Sequence, residues 1–171
     1  MGLSLRCVSL EKEKPITKMD WKTLKSQIYF WDGSWRDIYV QNTESEDWEK
    51  WINLVNEKYR INWHNGKTNQ SEAKIKFDVI KEYWEGNGEL CSTANIFLDE
   101  IQINAHFFDD SEIENDIDPR EFESMDDHNR LIEYLKSVSM ACNKEVIVTL
   151  ENSPEYVLMK INGNEVQINE V

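Results

Sequence analysis

The sequence predicts an α+β domain: a mostly antiparallel sheet of about five to seven strands with two main helices (45–58 and 125–142) and one short helix (78–85). Three observations carry this. Strand-like runs come in neighbouring pairs separated by turn residues, at Asp32-Gly33, Asp99-Glu100 and Asn162-Gly163, as in hairpins. Two stretches carry apolar residues at helical spacing with capping residues in front of them. Crossover units of the strand-helix-strand kind are scarce, so helices on one face of the sheet are expected.

In chain order, residues 1–18 differ from the rest, with a short apolar patch and then EKEKP, and read as an N-terminal extension of low order. The domain proper spans 19–171, one domain by length. QIYFWDGSWRDIYV (27–40) places two aromatic, β-branched runs around Asp32-Gly33 and reads as a hairpin. Its second arm alternates Trp35, Asp37 and Tyr39 with Arg36, Ile38 and Val40. A strand covered on both faces follows, with Arg36 and Asp37 partly buried and paired.

SEDWEKWINLVNEK (45–58) is the clearest helix. Ser45 suits its cap, and Trp48, Trp51, Ile52, Val55 and Tyr59 form one stripe. At that spacing the tryptophans read as core. A strand from Tyr59 to His64 ends at Asn65-Gly66, AKIKF (73–77) can pair back, and Asp78 can cap the short helix before Gly86 and Gly88. TANIFLD and IQINAHFF (93–99 and 101–108) form a hairpin. Ser124 and Asp127 resemble a capping box opening the second main helix, striped by Leu131, Ile132, Leu135, Val138 and Cys142. EVIVTLE, YVLMKI and VQI close the chain as strands.

The formal charge is −14, and residues 61–171 carry all of it, since residues 1–60 hold ten bases and ten acids. Such a field repels nucleic acid and anionic membrane and favours cationic partners. Ten carboxylates against Arg120 give residues 109–127 a net −9. Phe107, Phe108, Ile113, Ile117 and Phe122 are spaced through this region, so it reads as folded rather than as an acidic tail. From Glu112 to Asp118 the acids take every second position, so a strand here turns carboxylates to water and isoleucines to the core. Pro119 ends it.

Catalytic signals are sparse. His106, close to Asp109 and Asp110, is the candidate centre for a divalent ion or for carboxylate chemistry, but the acids lack the Asp-x-Asp-x-Asp-Gly spacing of calcium loops. Against it stands a strand-end histidine beside a solvated acidic face. Cys7, Cys91 and Cys142 show neither metal-ligand nor redox spacing. There is no nucleophile elbow, phosphate-cradling glycine loop or zincin helix. No apolar run approaches the length of a membrane span, and the N-terminus lacks signal-peptide character, so a cytoplasmic protein is expected.

Two stretches taken together, WDGSWRDIYV (31–40) and NAHFFDDSEIENDIDPRE (104–121), followed by a helix and Glu151–Glu155, resemble a family of small, mostly uncharacterised bacterial proteins. The resemblance covers roughly residues 19–161 in order, as for one domain, and brings no catalytic residue with it. In size, acidity and lack of catalytic motifs the chain is also similar to immunity proteins of polymorphic-toxin or contact-dependent inhibition systems. That likeness implies a cytoplasmic, non-enzymatic protein without cofactor that neutralises a cognate basic toxin, often a nuclease, by direct binding. The expected contact residues are Asp109, Asp110, Glu112, Glu114, Asp116 and Asp118. The alternative is a small metal-dependent or carboxylate enzyme centred on His106, Asp109 and Asp110. Oligomeric state is not legible.

Overall fold

The computed structural model describes residues 19–88 and 90–169; the expected extension, 1–18, and Cys7 lie outside the described residues. Among the described residues, nine antiparallel strands make one open sheet. In chain order the elements are α1 (Trp21–Gln27), β1 (Arg36–Gln41), α2 (Ser45–Lys58), β2 (Arg60–Asn65), β3 (Gln70–Glu72), α3 (Phe77–Trp84), β4 (Thr93–Leu98), β5 (Ile101–His106) and β6 (Glu112–Ile117). A 3-10 turn (Pro119–Glu121), α4 (Met125–Cys142), β7 (Val146–Leu150), β8 (Ser153–Asn162) and β9 (Glu165–Ile168) complete it. The spatial order is β3-β2-β4-β5-β6-β1-β7-β8-β9, so the first strand lies between two that follow it in sequence.

The α+β class and the antiparallel sheet are as expected; among the described residues the strand number is nine rather than five to seven, with four α-helices. Both main helices lie where their apolar stripes put them, 45–58 and 125–142. Asp47 accepts from the Glu44 N–H at 3.0 Å, which makes Glu44 rather than Ser45 the cap of α2. In α4 the Ser124 side chain accepts from Asp127 N, and the Asp127 carboxylate accepts from Ser124 N at 2.9 Å, completing the capping box. Trp48, Trp51, Val55, Leu131 and Leu135 are buried against the sheet's inner face, where Ile38, Val40, Trp63, Ile96, Ile103, Ile113 and Val148 meet them. One polar thread crosses this core: Trp51 Nε1 donates to Tyr134 Oη (3.1 Å), which donates to Asn115 Oδ1 (2.8 Å), tying α2 to α4 and α4 to β6. Both bonds are buried, so each fixes register as well as adding stability.

Three local expectations are corrected. The first arm of the 27–40 hairpin is not a strand: α1 runs to Gln27, and the chain then bends until β1 begins at Arg36. The cause is Arg36 itself, fully buried, whose guanidinium donates to the carbonyls of Ile28 (2.9 Å), Phe30, Ser34 (3.2 Å) and Trp35 (2.9 Å). A loop wound round one cation satisfies carbonyls that a ladder would otherwise have taken. Asp32, not Asp37, is the carboxylate beside it, at 3.4 Å. Next, AKIKF does not pair back. The Ile75 N–H and C=O both bond the Asn56 side-chain amide (2.9 Å each), which fixes this segment in place of a strand partner, and β3 is Gln70–Glu72. Finally, α3 begins at Phe77 with Lys76 as its cap, so Asp78 lies inside the helix and bonds Lys81 at 3.1 Å.

Candidate functional site: the open face of the sheet

Strand alternation fixes what the face opposite α2 and α4 displays. The register sets side chains in rows across the strands. One row is Asn62, Asn95, Asn104, Asp116, Asp37 and Thr149 on β2, β4, β5, β6, β1 and β7. The next is His64, Thr93, His106, Glu114, Tyr39 and Ile147 on the same strands. Glu112 lies on this face of β6 too, opposite Gln41. The face is therefore graded, with amides and histidines on β2, β4 and β5 and carboxylates gathered on β6 and β1.

The centre is tightly bonded. Asp116 accepts from Asn104 Nδ2 (2.6 Å) and is joined to His106 Nε2 (2.6 Å), and Asn104 Oδ1 accepts from Asn95 (2.8 Å) and Gln102 (2.7 Å). Asp37 accepts from Tyr39 Oη (2.9 Å) and from the Asn152 N–H (2.6 Å). The proton affinities of His106, Glu114 and Asp37 rise. The hydrogen bond to Asp116, with the charges of Asp116, Glu114 and Asp37, outweighs burial and holds His106 above the ordinary imidazole range. Burial, with repulsion from Asp37, Glu112 and Asp116, raises Glu114 against the pull of His106. Burial raises Asp37 as well, opposed by its two hydrogen bonds and helped by Asp116 and Glu151. These carboxylates are short of positive charge: His106–Asp116 is the one ion pair that reaches Asp37, Glu112, Glu114 or Asp116 among the described residues.

The six sequence-predicted acids fall into three groups. Glu112, Glu114 and Asp116 stand on the open face, half-buried rather than freely solvated. Asp109 and Asp110 are exposed in the β5–β6 loop. Asp109 accepts from the Ser111 N–H (2.8 Å) and hydroxyl, which lower its pKa, while the Asp110 carbonyl accepts from Thr43 Oγ1 (2.7 Å) and Trp48 Nε1 (3.1 Å). Asp118 is buried just past the end of β6: it caps the 3-10 turn and binds Arg120 at 2.6 Å, which holds its pKa down. The His106, Asp109 and Asp110 centre does not assemble, because the partner of His106 is Asp116, and no group of three or more His, Cys, Asp or Glu side chains arranged to hold a metal ion occurs among the described residues. Cys91 bonds the Phe107 carbonyl (3.4 Å), and burial raises its pKa, the reverse of an activated thiol.

Asp37, Tyr39 and Asn104 join the site from outside the acidic segment. The alternation of Asp37 and Tyr39 in the sequence put them on one face, but only the β1–β6 register brings them to Asp116 and Glu114. No helix among the described residues is long and apolar enough to cross a membrane. Comparison with protein-family models, with curated proteins and with solved structures finds no match for this chain.

Proposed function

We propose that this is an acidic binding protein whose open sheet face receives a basic protein. In keeping with its likeness to immunity proteins, that partner is a cognate bacterial toxin of nuclease type, which the bound protein neutralises. The observation that carries the reading is the half-buried row of Glu112, Glu114 and Asp116 on β6, with Asp37 buried beside them on β1, matched by the single imidazole of His106. A rigid sheet holds these charges with no ordering cost on binding, and complementary charge speeds encounter and suppresses wrong partners. Burial, with added repulsion from neighbouring carboxylates, raises Glu114 and Asp37; incoming lysine or arginine charge favours their ionised forms, so binding releases protons near the raised values.

The test is capture from the source cell's lysate, eluted in rising salt, with wild type against a Glu112→Gln, Glu114→Gln, Asp116→Asn variant. A basic protein that elutes with salt and is lost by the variant supports the reading; equal retention by both removes the patch from the account. The second reading, a small carboxylate enzyme, is favoured by one observation, the short His106–Asp116 bond in an open, half-buried setting. It predicts a turnover abolished by His106→Asn, whereas binding alone tolerates that change.

A further inference from the structure

Phe108 is 60% exposed, whereas its neighbour Phe107 is a core residue at 1%. The exposed ring is nevertheless held in place. It lies parallel to the His106 imidazole, 2° between planes and 5.3 Å between centroids, and His106 is pinned by Asp116. The backbone on either side is anchored as well: the Phe107 carbonyl accepts from Trp84 Nε1 (3.0 Å), and the Asp110 carbonyl from Thr43 and Trp48. Phe108 also lines a groove of about 340 Å³ with Ser45, Lys81, Trp84, Asp109 and Asp110, in which Lys81 is held by Asp78.

A fixed aromatic face flanked by carboxylates suits a planar cation. A guanidinium stacks flat on the ring and turns its N–H edge to the acids, while an ammonium offers charge without the stacking plane. The chain uses this geometry within itself: Arg60 lies over Phe97 (3.6 Å), Arg120 over Trp31 (4.1 Å) and Arg36 over Phe30 (4.4 Å). Among the described residues Phe108 has no such cation above it. The Asp116 carboxylate behind His106 offsets the charge the imidazole would otherwise place beneath the ring.

We propose that Phe108 is the aromatic anchor of the acidic face, the site at which an arginine side chain of the basic partner stacks between the open sheet and Asp109–Asp110. This rests on the binding function proposed above and adds a preference for arginine over lysine at one position.

The experiment uses two fluorescent probes of equal charge, nona-arginine and nona-lysine, with wild type and Phe108→Leu. The leucine keeps apolar bulk and removes the π face; thermal melts confirm that both proteins fold. The expected result is that wild type binds nona-arginine about fivefold more tightly than nona-lysine, and that Phe108→Leu binds both with the weaker affinity. Equal affinities in wild type, or a preference that survives Phe108→Leu, overturns the anchor and leaves the acidic-face function standing. Failure of both probes to bind wild type overturns the function along with the anchor.

Discussion

Replacing Arg36 by Met tests whether one buried cation organises the chain between α1 and β1. Four carbonyls, of Ile28, Phe30, Ser34 and Trp35, take their hydrogen bonds from this guanidinium, which is fully buried. Methionine keeps most of the volume and leaves those acceptors without a donor. An unsatisfied buried acceptor costs about 1–3 kcal/mol. Some of the four recover water as the loop relaxes, so a net loss of about 3–4 kcal/mol is expected, in the range for breaking a buried charged contact. The assay is urea unfolding followed by tryptophan fluorescence. With a slope near 2 kcal/mol per molar urea, the midpoint falls by about 2 M, and the melting temperature by about 10 °C. Arg36→Lys, which keeps the charge and fewer donors, falls in between. A midpoint for Arg36→Met within about 0.5 M of wild type would refute the reasoning, because the carbonyls would then be satisfied without the guanidinium.

The two histidines with shifted proton affinities act in opposite directions. His128 is buried, hydrogen-bonded through Nδ1 to Tyr29 Oη at 2.7 Å, and pushed down to about 4 by burial, so the stability it contributes at neutral pH is lost as pH falls below the ordinary 6.5, by about 3 kcal/mol at pH 4. Unfolding from pH 7 to pH 4 should show this slope flattened in His128→Gln. His106 is held above its ordinary value, so its contribution is present below pH 6.5 and lost as pH rises through the raised value. An imidazole titration by NMR should place it above 6.5 in wild type and lower in Asp116→Asn. Gly66→Ala drives a Cβ into the Leu90 backbone carbonyl and should cost about 2–3 kcal/mol of overpacking in the same urea assay.

Where a few neighbouring residues decide the structure, the sequence was legible. The Ser124–Asp127 box and its stripe set α4, and the alternation of TANIFL and IQINAH about Asp99-Glu100 set the β4–β5 hairpin. Where a distant side chain takes over backbone bonding, it was not. The stretch 28–35 has strand composition but serves Arg36, and AKIKF has strand alternation but is held by Asn56. The site divides in the same way. The period of two in Glu112, Glu114 and Asp116 is written in the sequence. Their meeting with Asp37 and Tyr39 depends on β1 entering between β6 and β7, which local pattern does not encode. Asp118 keeps the period but falls past the end of β6, where Arg120 and the 3-10 turn claim its carboxylate.

The most direct test of the central claim is to locate where a polycation binds. Side-chain carboxyl and imidazole resonances would be followed by NMR as nona-lysine is added at low salt and then displaced at high salt. The account predicts that the largest shifts fall on Asp37, His106, Glu112, Glu114 and Asp116, and that they revert with salt. Shifts centred instead on helix acids such as Glu49, Asp126 and Glu133, with the open face unmoved, would contradict it.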